Sequence, residues 1–255
     1  MNLKNQQNII GLVITKNEAH NISELIENLN FTDRIIIVDS FSTDQTADIA
    51  MKYPNVEVHQ KEFENYADQR NFALSFAREN WVLFIDADER VTEELKEEIK
   101  CIVNENKREI AYFFKRRFHY NKKPIYFCGL QTDKNIRLFY NATGVHYKGF
   151  VHEKLQFTGT SQTLKNRLIH YSFEDFSSYK KKMYNYGILK AQEKFKQNKK
   201  APFLGKYYHT AYTFLNKYFI RLGFLDGSKG LSLCKLMAYS VYVRYDEMER
   251  LQKNR

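Results

Sequence analysis

Short apolar runs alternate with helical patterns along the first hundred residues, and this alternation constrains the fold more than any other feature of the sequence. The predicted strands cover residues 9–14, 34–38, 56–59 and 81–85, and apolar runs such as 35–38 and 81–85 are typical of strands buried on both faces. A helical pattern follows each run: from Asn21, which with Glu24 resembles a capping box, and then over 43–52, 66–79 and 92–103. This order predicts an α/β fold, with a mainly parallel sheet flanked by helices and joined by right-handed crossovers.

The pattern changes in the second half of the chain. Aromatic and basic residues alternate over 112–118, and turn residues follow, which predicts a small antiparallel section. From Phe176 helical patterns dominate, and apolar residues recur near helical spacing from Leu204 to Leu222. Such periodicity usually reflects packing between helices, and contact with a membrane is the alternative. The sequence therefore predicts an α/β domain over 1–175 and a basic helical extension over 176–255.

Charge is divided unevenly between the two ends of the chain. Residues 1–100 contain 10 Lys and Arg against 19 Asp and Glu, a net charge of −9, whereas residues 101–255 contain 30 against 11, a net charge of +19. An acidic part suits a divalent cation, and a basic part suits an anionic partner such as a membrane surface, an acidic glycolipid or nucleic acid. Charge alone does not choose among these partners.

The opening residues, the hydropathy and the cysteines favour a cytoplasmic location. Residues 1–8 are polar and lead directly into a strand, unlike a secretory signal peptide. No apolar run reaches the roughly 18 residues that a membrane-spanning helix needs. The three cysteines form no CxxC pair, so no disulfide framework is indicated. The basic part adds the expectation of contact with the cytoplasmic face of the inner membrane.

Polar residues follow three of the predicted strands at the points where they end. Thr15-Lys16-Asn17-Glu18 follows the first strand, Asp39-Ser40 the second and Asp86-Ala87-Asp88-Glu89 the fourth. Ligands of open α/β sheets bind beyond the carboxyl ends of the strands, so these groups are expected to line one site. Carboxylates crowded at one edge repel one another unless a cation or a hydrogen-bonding ligand accompanies them.

The Asp86-x-Asp88 pattern has the chemistry of a divalent cation site. Carboxylate oxygens suit Mg²⁺ or Mn²⁺ held together with substrate phosphates. No glycine-rich phosphate loop follows the first strand, which disfavours dinucleotide binding and leaves a metal ion to hold a diphosphate. The alternative is that both aspartates are ordinary turn and cap residues before the helix at Thr92.

These motifs resemble those of the family-2 glycosyltransferases of the GT-A fold. The residues that carry the resemblance are Thr15-Lys16-Asn17-Glu18, Val38-Asp39-Ser40-Phe41-Ser42-Thr43-Asp44, Arg70-Asn71-Phe72-Ala73 and Phe84-Ile85-Asp86-Ala87-Asp88-Glu89. The resemblance covers residues 8–175 and looks closest to the lipopolysaccharide core glucosyltransferases, although many relatives carry Asp-Gly in place of Ser40-Phe41. It implies an inverting, metal-dependent enzyme with a UDP-sugar as the expected nucleotide donor and a glycan or glycolipid as acceptor.

The resemblance also implies roles for residues of the donor pocket. Thr15 and Asn17 would line the nucleotide pocket, and Asp39 would accept a hydrogen bond from the uracil or the ribose. Arg70 would contact the base or the phosphates, and Asp86 would face the ribose and the metal.

The same resemblance assigns metal binding and proton transfer to three further residues. Asp88 would bind the divalent metal, Mn²⁺ or Mg²⁺, directly, and His170 resembles a C-terminal metal-binding histidine. The segment Gly149-Phe150-Val151-His152-Glu153 resembles an acceptor-side motif that ends in a catalytic carboxylate, so Glu153 would be the general base. The α/β domain is thereby divided into a donor half, 1–103, and an acceptor half, 104–175.

Several of these residues have ordinary structural alternatives. Asp39 could cap the segment that follows it, and Arg70 could be a solvated arginine on a helix. Glu153 could pair with a neighbouring lysine, and other histidines rival His170 for the metal. The lysines and histidines in question are Lys148, Lys154, His146 and His152.

Three other functions compete with glycosyl transfer. A nucleotidyltransferase on the same fold would release pyrophosphate rather than UDP. The charge of +19 in residues 101–255 suits a nucleic-acid-binding protein, but no helix-turn-helix, RNP or zinc signature is present, so no specific nucleic acid is expected. A phosphatase of the haloacid dehalogenase type needs Thr or Val two residues after its second Asp, where this chain has Arg90.

Overall fold

An α/β arrangement followed by long helices makes up the described part of the chain, residues 8–105, 109–121, 123–149, 153–173 and 176–253, in a computed structural model. The strands are β1 (Ile9–Thr15), β2 (Arg34–Asp39), β3 (Val56–Gln60), β4 (Trp81–Phe84), β5 (Glu89–Arg90), β6 (Glu109–Tyr120), β7 (Lys123–Pro124), β8 (Lys134–Tyr140), β9 (His146–Lys148), β10 (Lys154–Gln156) and β11 (Thr160–Phe173). The helices are α1 (Ala19–Asn28), α2 (Thr46–Ala50), α3 (Tyr66–Leu74), α4 (Glu93–Asn104), α5 (Phe176–Lys196), α6 (Gly205–Leu215) and α7 (Gly227–Lys253). A π-helical turn (Asn216–Ile220) and a 3₁₀ turn (Gly223–Asp226) join the last two. The predicted α/β fold class is confirmed.

The strands that the sequence predicts lie side by side in one sheet. Its order is β3-β2-β1-β4-β8-β6-β11-β5, with β7 paired to β6. β1 pairs in parallel with β2 and β4, and β2 pairs in parallel with β3. β8 pairs antiparallel with β4 and β6, and β11 pairs antiparallel with β5. The carboxyl ends of β2, β1 and β4 therefore meet at one edge, where the sequence has its polar motifs.

Both faces of the parallel strands are covered by helices. On β2, Ile37 belongs to a core cluster with Leu25 of α1 and Ile99 of α4, whereas its neighbour Val38 belongs to a second cluster with Ala73 of α3. All five side chains are fully buried. Burying an aliphatic side chain of this size contributes roughly 1.5–3 kcal/mol, which is why continuous apolar runs mark these strands in the sequence.

The first helix begins two residues earlier than predicted. α1 starts at Ala19 with Glu18 as its N-cap, so the capping box expected at Asn21 is wrong. Glu24, the expected partner of Asn21 in that box, instead lies 3.2 Å from Nε of Arg90. The ion pair ties α1 to the segment that follows β4.

The second and third helices are shorter than predicted. α3 begins at Tyr66 as expected, because Oδ1 of Asn65 caps it by accepting a hydrogen bond from the backbone N–H of Asp68 at 2.9 Å. It ends at Leu74, and α2 covers only Thr46–Ala50. Helical periodicity thus locates both elements, but it misses the last turn of α3 and both ends of α2.

Contacts divide the chain into two compact units. The first consists of residues 1–116 and 134–170, and the second of residues 117–133 and 171–255. The first unit contains the parallel strands and their helices, and the second contains α5, α6 and α7. The functional division of the chain at residues 103 and 175 stays a prediction.

The second unit is built around α7, against which α5 and α6 pack. A Cβ atom at Gly187 of α5 would lie 2.7 Å from the carbonyl oxygen of Ser240, so glycine allows the close approach of α5 and α7. The core cluster of this unit contains Phe118, Ile125, Cys128, Tyr179, Leu233, Cys234 and Leu236. Within the part of the chain that the structure describes, no helix has the length and hydropathy needed to cross a membrane.

The apolar residues between Leu204 and Leu222 are mostly exposed. Tyr218 is half-buried against the core cluster of the second unit, in agreement with the packing interpretation. Leu204, Tyr208 and Leu215 are instead more than half exposed. The prediction that this periodicity reflects packing between helices is therefore wrong for most of the stretch.

Candidate functional site

The first two strands end next to each other in the first unit. Thr15 and Asp39 are register partners, and both are buried. The carboxylate of Asp39 accepts hydrogen bonds from the backbone N–H of Ser42, at 2.9 Å, and from the Ser42 hydroxyl. Asp39 thus caps the turn after β2, as the structural alternative predicts. Its contact with the uracil or ribose, and the role of Thr15, stay predictions.

Asn17 connects the loops that follow β1 and β2. Its Oδ1 accepts a hydrogen bond from the backbone N–H of Thr43 at 2.8 Å, and its own N–H donates to Oγ of Ser42 at 2.8 Å. Its backbone has a φ of 56°, and the residue is exposed. Asn17 therefore shapes the loops beside Asp39, and its contact with a nucleotide stays a prediction.

Phe41 occupies a backbone conformation that favours glycine, which matches the glycine of many relatives at this position. Its φ is 53°, in the left-handed region, and its ring is 53% exposed. We expect Phe41→Gly to raise the free energy of unfolding by about 1 kcal/mol, because the left-handed conformation costs a non-glycine residue about that much. Phe41→Ala removes the same ring but keeps the Cβ atom, so it should not gain this stability. Urea unfolding of both variants checks the prediction, and an equal change in the two would contradict it.

A cluster of paired charges lies just beyond the end of β4. Asp86 accepts hydrogen bonds from Nη2 of Arg70, at 2.8 Å, and from Nη2 of Arg137. Arg137 also donates to Glu89 at 2.7 Å, and Arg116 lies 3.4 Å from the same carboxylate oxygen. Arg70, Arg137 and Glu89 are buried, and buried charges are tolerated only when they are paired in this way.

The two guanidinium groups set the ionisation of Asp86. Burial alone would raise the pKa of this carboxyl group, but the charges of Arg137 and Arg70 outweigh burial and hold the pKa well below its ordinary value. Both carboxylate oxygens of Asp86 face arginines. Its predicted contact with the ribose and metal stays a prediction, and each of its oxygens keeps a second lone pair for such a contact.

Arg137 is a site residue that the sequence reasoning missed. It lies in β8 between Ile136 and Leu138, and β8 pairs with β4 through Leu138 and Leu83. A single arginine inside a buried apolar strand is the signal that points to it, because such a charge needs a partner. The identity of that partner depended on the pairing of β8 with β4.

Arg70 links Asp86 with the candidate base. Its guanidinium carbon lies 4.4 Å from the ring centroid of Phe84 and 5.4 Å from that of Tyr147. Its Nε donates to Oε1 of Glu153 at 3.2 Å, while Nη2 reaches Asp86. Arg70 is 6% exposed, so the alternative of a solvated helix arginine is wrong.

Asn71, the next residue of the same motif, holds the strand that precedes the candidate base. Its Nδ2 donates to the carbonyl oxygen of Tyr147 at 2.9 Å, and its Oδ1 accepts from the backbone N–H of Tyr147 at 2.6 Å. Burial raises the pKa of the Tyr147 phenol. The Arg-Asn pair therefore has two structural tasks, with Arg70 in the charge cluster and Asn71 on β9.

Glu153 lies at the edge of this cluster with a largely buried side chain, 19% exposed. Its partner is Arg70 rather than a neighbouring lysine, and Lys148 and Lys154 are exposed register partners on β9 and β10. Residues 150–152, and with them the rival His152, lie outside the described residues. The role of Glu153 as the general base stays a prediction.

Asp88 and His170, the two predicted metal ligands, are neighbours. Nε2 of His170 lies 3.0 Å from Oδ2 of Asp88, and β11 brings His170 opposite Glu89 in the sheet. The rival His146 is exposed and contacts the carbonyl oxygen of Gly144 at 2.9 Å. Over the described ranges, His, Cys, Asp and Glu side chains form no group of three or more that could hold a metal ion. Any ion at Asp88 and His170 would need further ligands from a substrate or from water.

Tyr66 is the first residue of the helix that carries Arg70. It lies one turn before Arg70 on α3, so both side chains project from the same face of the helix. Burial raises the pKa of its phenol, and the negative charges of Glu153 and Asp86 raise it further. The ring is half exposed and forms an edge contact with Phe63 at 5.0 Å between centroids.

Comparison with known proteins matches residues 12–209 to the family described as "Glycosyl transferase family 2". An uncharacterised glycosyltransferase of Rickettsia prowazekii, RP128, is 31% identical over 255 residues, 95% of this chain and 87% of that protein. The lipopolysaccharide core biosynthesis glycosyltransferase LpsC of Rhizobium meliloti is 26% identical and covers 92% of both chains. Among solved structures, S. aureus TarS 1-349 in complex with UDP-GlcNAc has a TM-score of 0.49 and 16% identity, over 97% of this chain and 92% of that chain.

Proposed function

Because the chain belongs to glycosyl transferase family 2 and is a glycosyltransferase, we propose that it is an inverting enzyme that depends on a divalent metal. The proposed donor is a nucleotide-diphosphate sugar, with a UDP-sugar expected. The proposed acceptor is a glycan or glycolipid of cell-envelope polysaccharide or lipopolysaccharide synthesis. The printed name of LpsC supports this class of acceptor. The observation that carries the proposal is the meeting of Asp88 with His170 beside the paired charges of Asp86.

Donor binding is assigned to the edge formed by the ends of β1, β2 and β4. Thr15, Asn17 and Asp39 would hold the nucleoside, since they lie at the ends of β1 and β2 or on the loop beside them. Arg70 and Asp86 would bind on the phosphate and ribose side, where a partly buried hydrogen bond holds them to each other. Groups that are held rigidly before the ligand arrives lose little entropy on binding.

The metal is assigned to Asp88 and His170. The carboxylate of Asp88 suits either Mn²⁺ or Mg²⁺, whereas the imidazole of His170 suits Mn²⁺ better, and diphosphate oxygens commonly complete the coordination of such ions. Asp86 is neutralised by two arginines, whereas Asp88 faces His170, so the cation is assigned to Asp88 rather than to Asp86. The cation, when bound, would stabilise the charge of the leaving diphosphate.

Proton removal is assigned to Glu153. In a single displacement, the acceptor hydroxyl attacks the anomeric carbon of the donor sugar from the side opposite the leaving diphosphate. Glu153 would accept the proton of that hydroxyl, and its hydrogen bond to Nε of Arg70 would keep its carboxylate in position. The nucleotidyltransferase alternative predicts pyrophosphate as the released product, whereas the proposed reaction releases UDP.

The proposal extends to where the enzyme works. A glycolipid acceptor requires the enzyme to reach a membrane surface, and the charge of +19 in residues 101–255 suits anionic headgroups. We therefore assign it peripheral contact with an anionic membrane on the cytoplasmic side.

The metal assignment is tested by Asp88→Ala. UDP binding, measured by titration calorimetry, is expected to require Mn²⁺ in the wild type and to fall by at least about tenfold in the variant, because one of two protein ligands is lost. Asp48→Ala removes an exposed aspartate from α2 and serves as the control, with unchanged affinity. UDP binding that survives a chelator, or that is undiminished in Asp88→Ala, would refute the metal assignment.

A further inference from the structure

Helix α6 of the second unit presents its apolar side outwards. Five apolar residues recur every three or four positions along α6 and the π-helical turn, and each is more than half exposed. A residue spacing of three or four places side chains on one face of a helix. We call this face the exposed stripe, and it consists of Leu204, Tyr208, Tyr212, Leu215 and Phe219.

Two polar residues of α6, Lys206 and His209, contact α7. Nζ of Lys206 lies 2.9 Å from Asp246 and 3.0 Å from Glu249, both on α7. The ring of His209 stacks on Tyr245 of α7, with 4.7 Å between centroids. A surface helix of a globular protein normally has a polar outer face, with its apolar stripe against the core. In α6, Phe214 packs against the core cluster of the second unit and the outer face is apolar as well, which indicates that the outer face is made for a partner.

The segment that carries the exposed stripe has only positive charge. Between Glu193 and Asp226 the sequence contains seven Lys and Arg and no Asp or Glu. Lys199 and Lys200 are exposed, and Phe203, three residues later, is 94% exposed. Lysines next to exposed aromatic and aliphatic rings are the combination found in helices that lie in the interface of an anionic bilayer.

We propose that the exposed stripe and the lysines beside it are the surface with which the second unit docks on an anionic lipid bilayer. The rings would enter the headgroup region and the lysines would contact lipid phosphates. Tyrosine suits this position because its ring is apolar and its hydroxyl stays hydrated, and the stripe has two tyrosines. The inference rests on the proposed function, which requires access to a glycolipid, and it names the residues that provide it.

A second copy of the chain is the other possible occupant, and the charge disfavours it. A symmetric dimer through this face would bring the exposed cationic residues of the segment from both copies together, and the segment has no acidic residue to neutralise them; these residues are Lys196, Lys199, Lys200 and Arg221. An anionic bilayer instead attracts all of them at once.

Vesicle co-sedimentation of the full chain tests the proposal. The probes are vesicles of phosphatidylcholine alone and of phosphatidylcholine mixed with phosphatidylglycerol, each at low and high salt. We expect the protein to sediment with the phosphatidylglycerol vesicles at low salt, and to do so less at high salt because salt screens the lysines. It should bind phosphatidylcholine vesicles only weakly.

Matched variants separate the apolar and the charged contributions. Tyr208→Ser/Tyr212→Ser/Leu215→Ser is expected to lower partitioning by roughly tenfold or more, since three apolar side chains are removed. Lys200→Gln is expected to lower it about fivefold, whereas Lys52→Gln, an exposed lysine of the first unit, should not change it. Met51→Ser is the apolar control, because Met51 is 61% exposed on the first unit. Circular dichroism verifies that each variant is folded.

Three outcomes would overturn the docking surface. The first is wild-type protein that stays in the supernatant with phosphatidylglycerol vesicles at low salt. The second is a triple variant that sediments as well as the wild type. The third is a wild-type protein that binds no vesicles but forms a dimer by light scattering, with the dimer lost in the triple variant. UDP titrations on the same samples keep the two proposals apart. Absence of Mn²⁺-dependent UDP binding in the wild type would overturn the proposed function and leave the vesicle result standing.

Discussion

Replacing Arg137 with methionine is expected to lower the free energy of unfolding by about 3–5 kcal/mol, because it leaves the buried Glu89 and the half-buried Asp86 without their main partner. Arg137 pairs with both Asp86 and Glu89, and its own side chain is 4% exposed. Methionine fills a similar volume, so the loss reports the charge rather than a cavity. Urea unfolding measures it, with Arg78→Met, at an exposed arginine, as the control. That control is expected to change stability by no more than about 0.5 kcal/mol.

A double variant shows whether the uncompensated charge causes the loss. Arg137→Met/Asp86→Asn removes the guanidinium together with one of the carboxylates that it neutralises. Its loss in free energy of unfolding should therefore be smaller than the sum of the losses in the two single variants. A loss of less than about 1 kcal/mol in Arg137→Met, or strict additivity in the double variant, would show that the cluster does not depend on Arg137.

The same substitution is expected to change the response of the protein to acid. The pKa of Asp86 is lower in the folded protein than in the unfolded chain, so its contribution to stability is fully present above the ordinary pKa of an aspartate and is lost as the pH falls through the lowered value. Without Arg137 the pKa of Asp86 is lowered less. Acid unfolding of Arg137→Met is therefore expected to begin at a higher pH than that of the wild type.

Replacing Glu153 with glutamine is expected to lower the rate of sugar transfer by about 10²–10⁴-fold, the range that a positioned general base contributes. The amide oxygen of glutamine can still accept the hydrogen bond from Nε of Arg70, so donor affinity and stability should change little. The measurement is UDP released from the UDP-sugar, with acceptor and with water alone, together with a UDP titration.

Controls distinguish a base from a structural carboxylate. Glu97→Gln, at an exposed position of α4, should leave transfer unchanged. If Glu153 instead holds its loop through Arg70, then Glu153→Gln would reduce stability or donor affinity rather than turnover. Transfer at a near wild-type rate would eliminate Glu153 as the base and make His152 the next candidate.

The parallel part of the fold followed from local patterns in the sequence. The strands from Ile9, Arg34 and Trp81 could be recognised because both of their faces are buried, and the polar motifs at their ends could be assigned to one edge because parallel strands share their direction. The strand from Val56 lies at the edge of the sheet and is only partly buried, and it was recognised from its place in the alternation of strands and helices. The first turn of α1 could not be assigned from the sequence. Capping patterns identify a helix start by a side chain that accepts a hydrogen bond from the first turn, and Glu18, the N-cap of α1, makes no such bond.

Features that depend on distant contacts were out of reach. The pairing of Arg137 with Asp86 requires β8 to lie beside β4, and nothing in the strand itself specifies that neighbour. The exposure of the outer face of α6 also depends on a distant contact. Helical periodicity reports that apolar residues share a face, but whether that face meets the core or the solvent depends on what the opposite face contacts, which here is α7.

The contact between Asn71 and Tyr147 has a consequence for the solubility of the protein. The amide of Asn71 donates to the backbone carbonyl of Tyr147 and accepts from the backbone N–H of the same residue. It thus makes the two hydrogen bonds that the backbone of a neighbouring strand would make. β9 and β10 form a sheet of two strands, whose outer edges would otherwise be templates for strands of other molecules. Asn71 occupies such an edge at Tyr147, so the residue that aligns β9 also protects it against intermolecular β-pairing and aggregation.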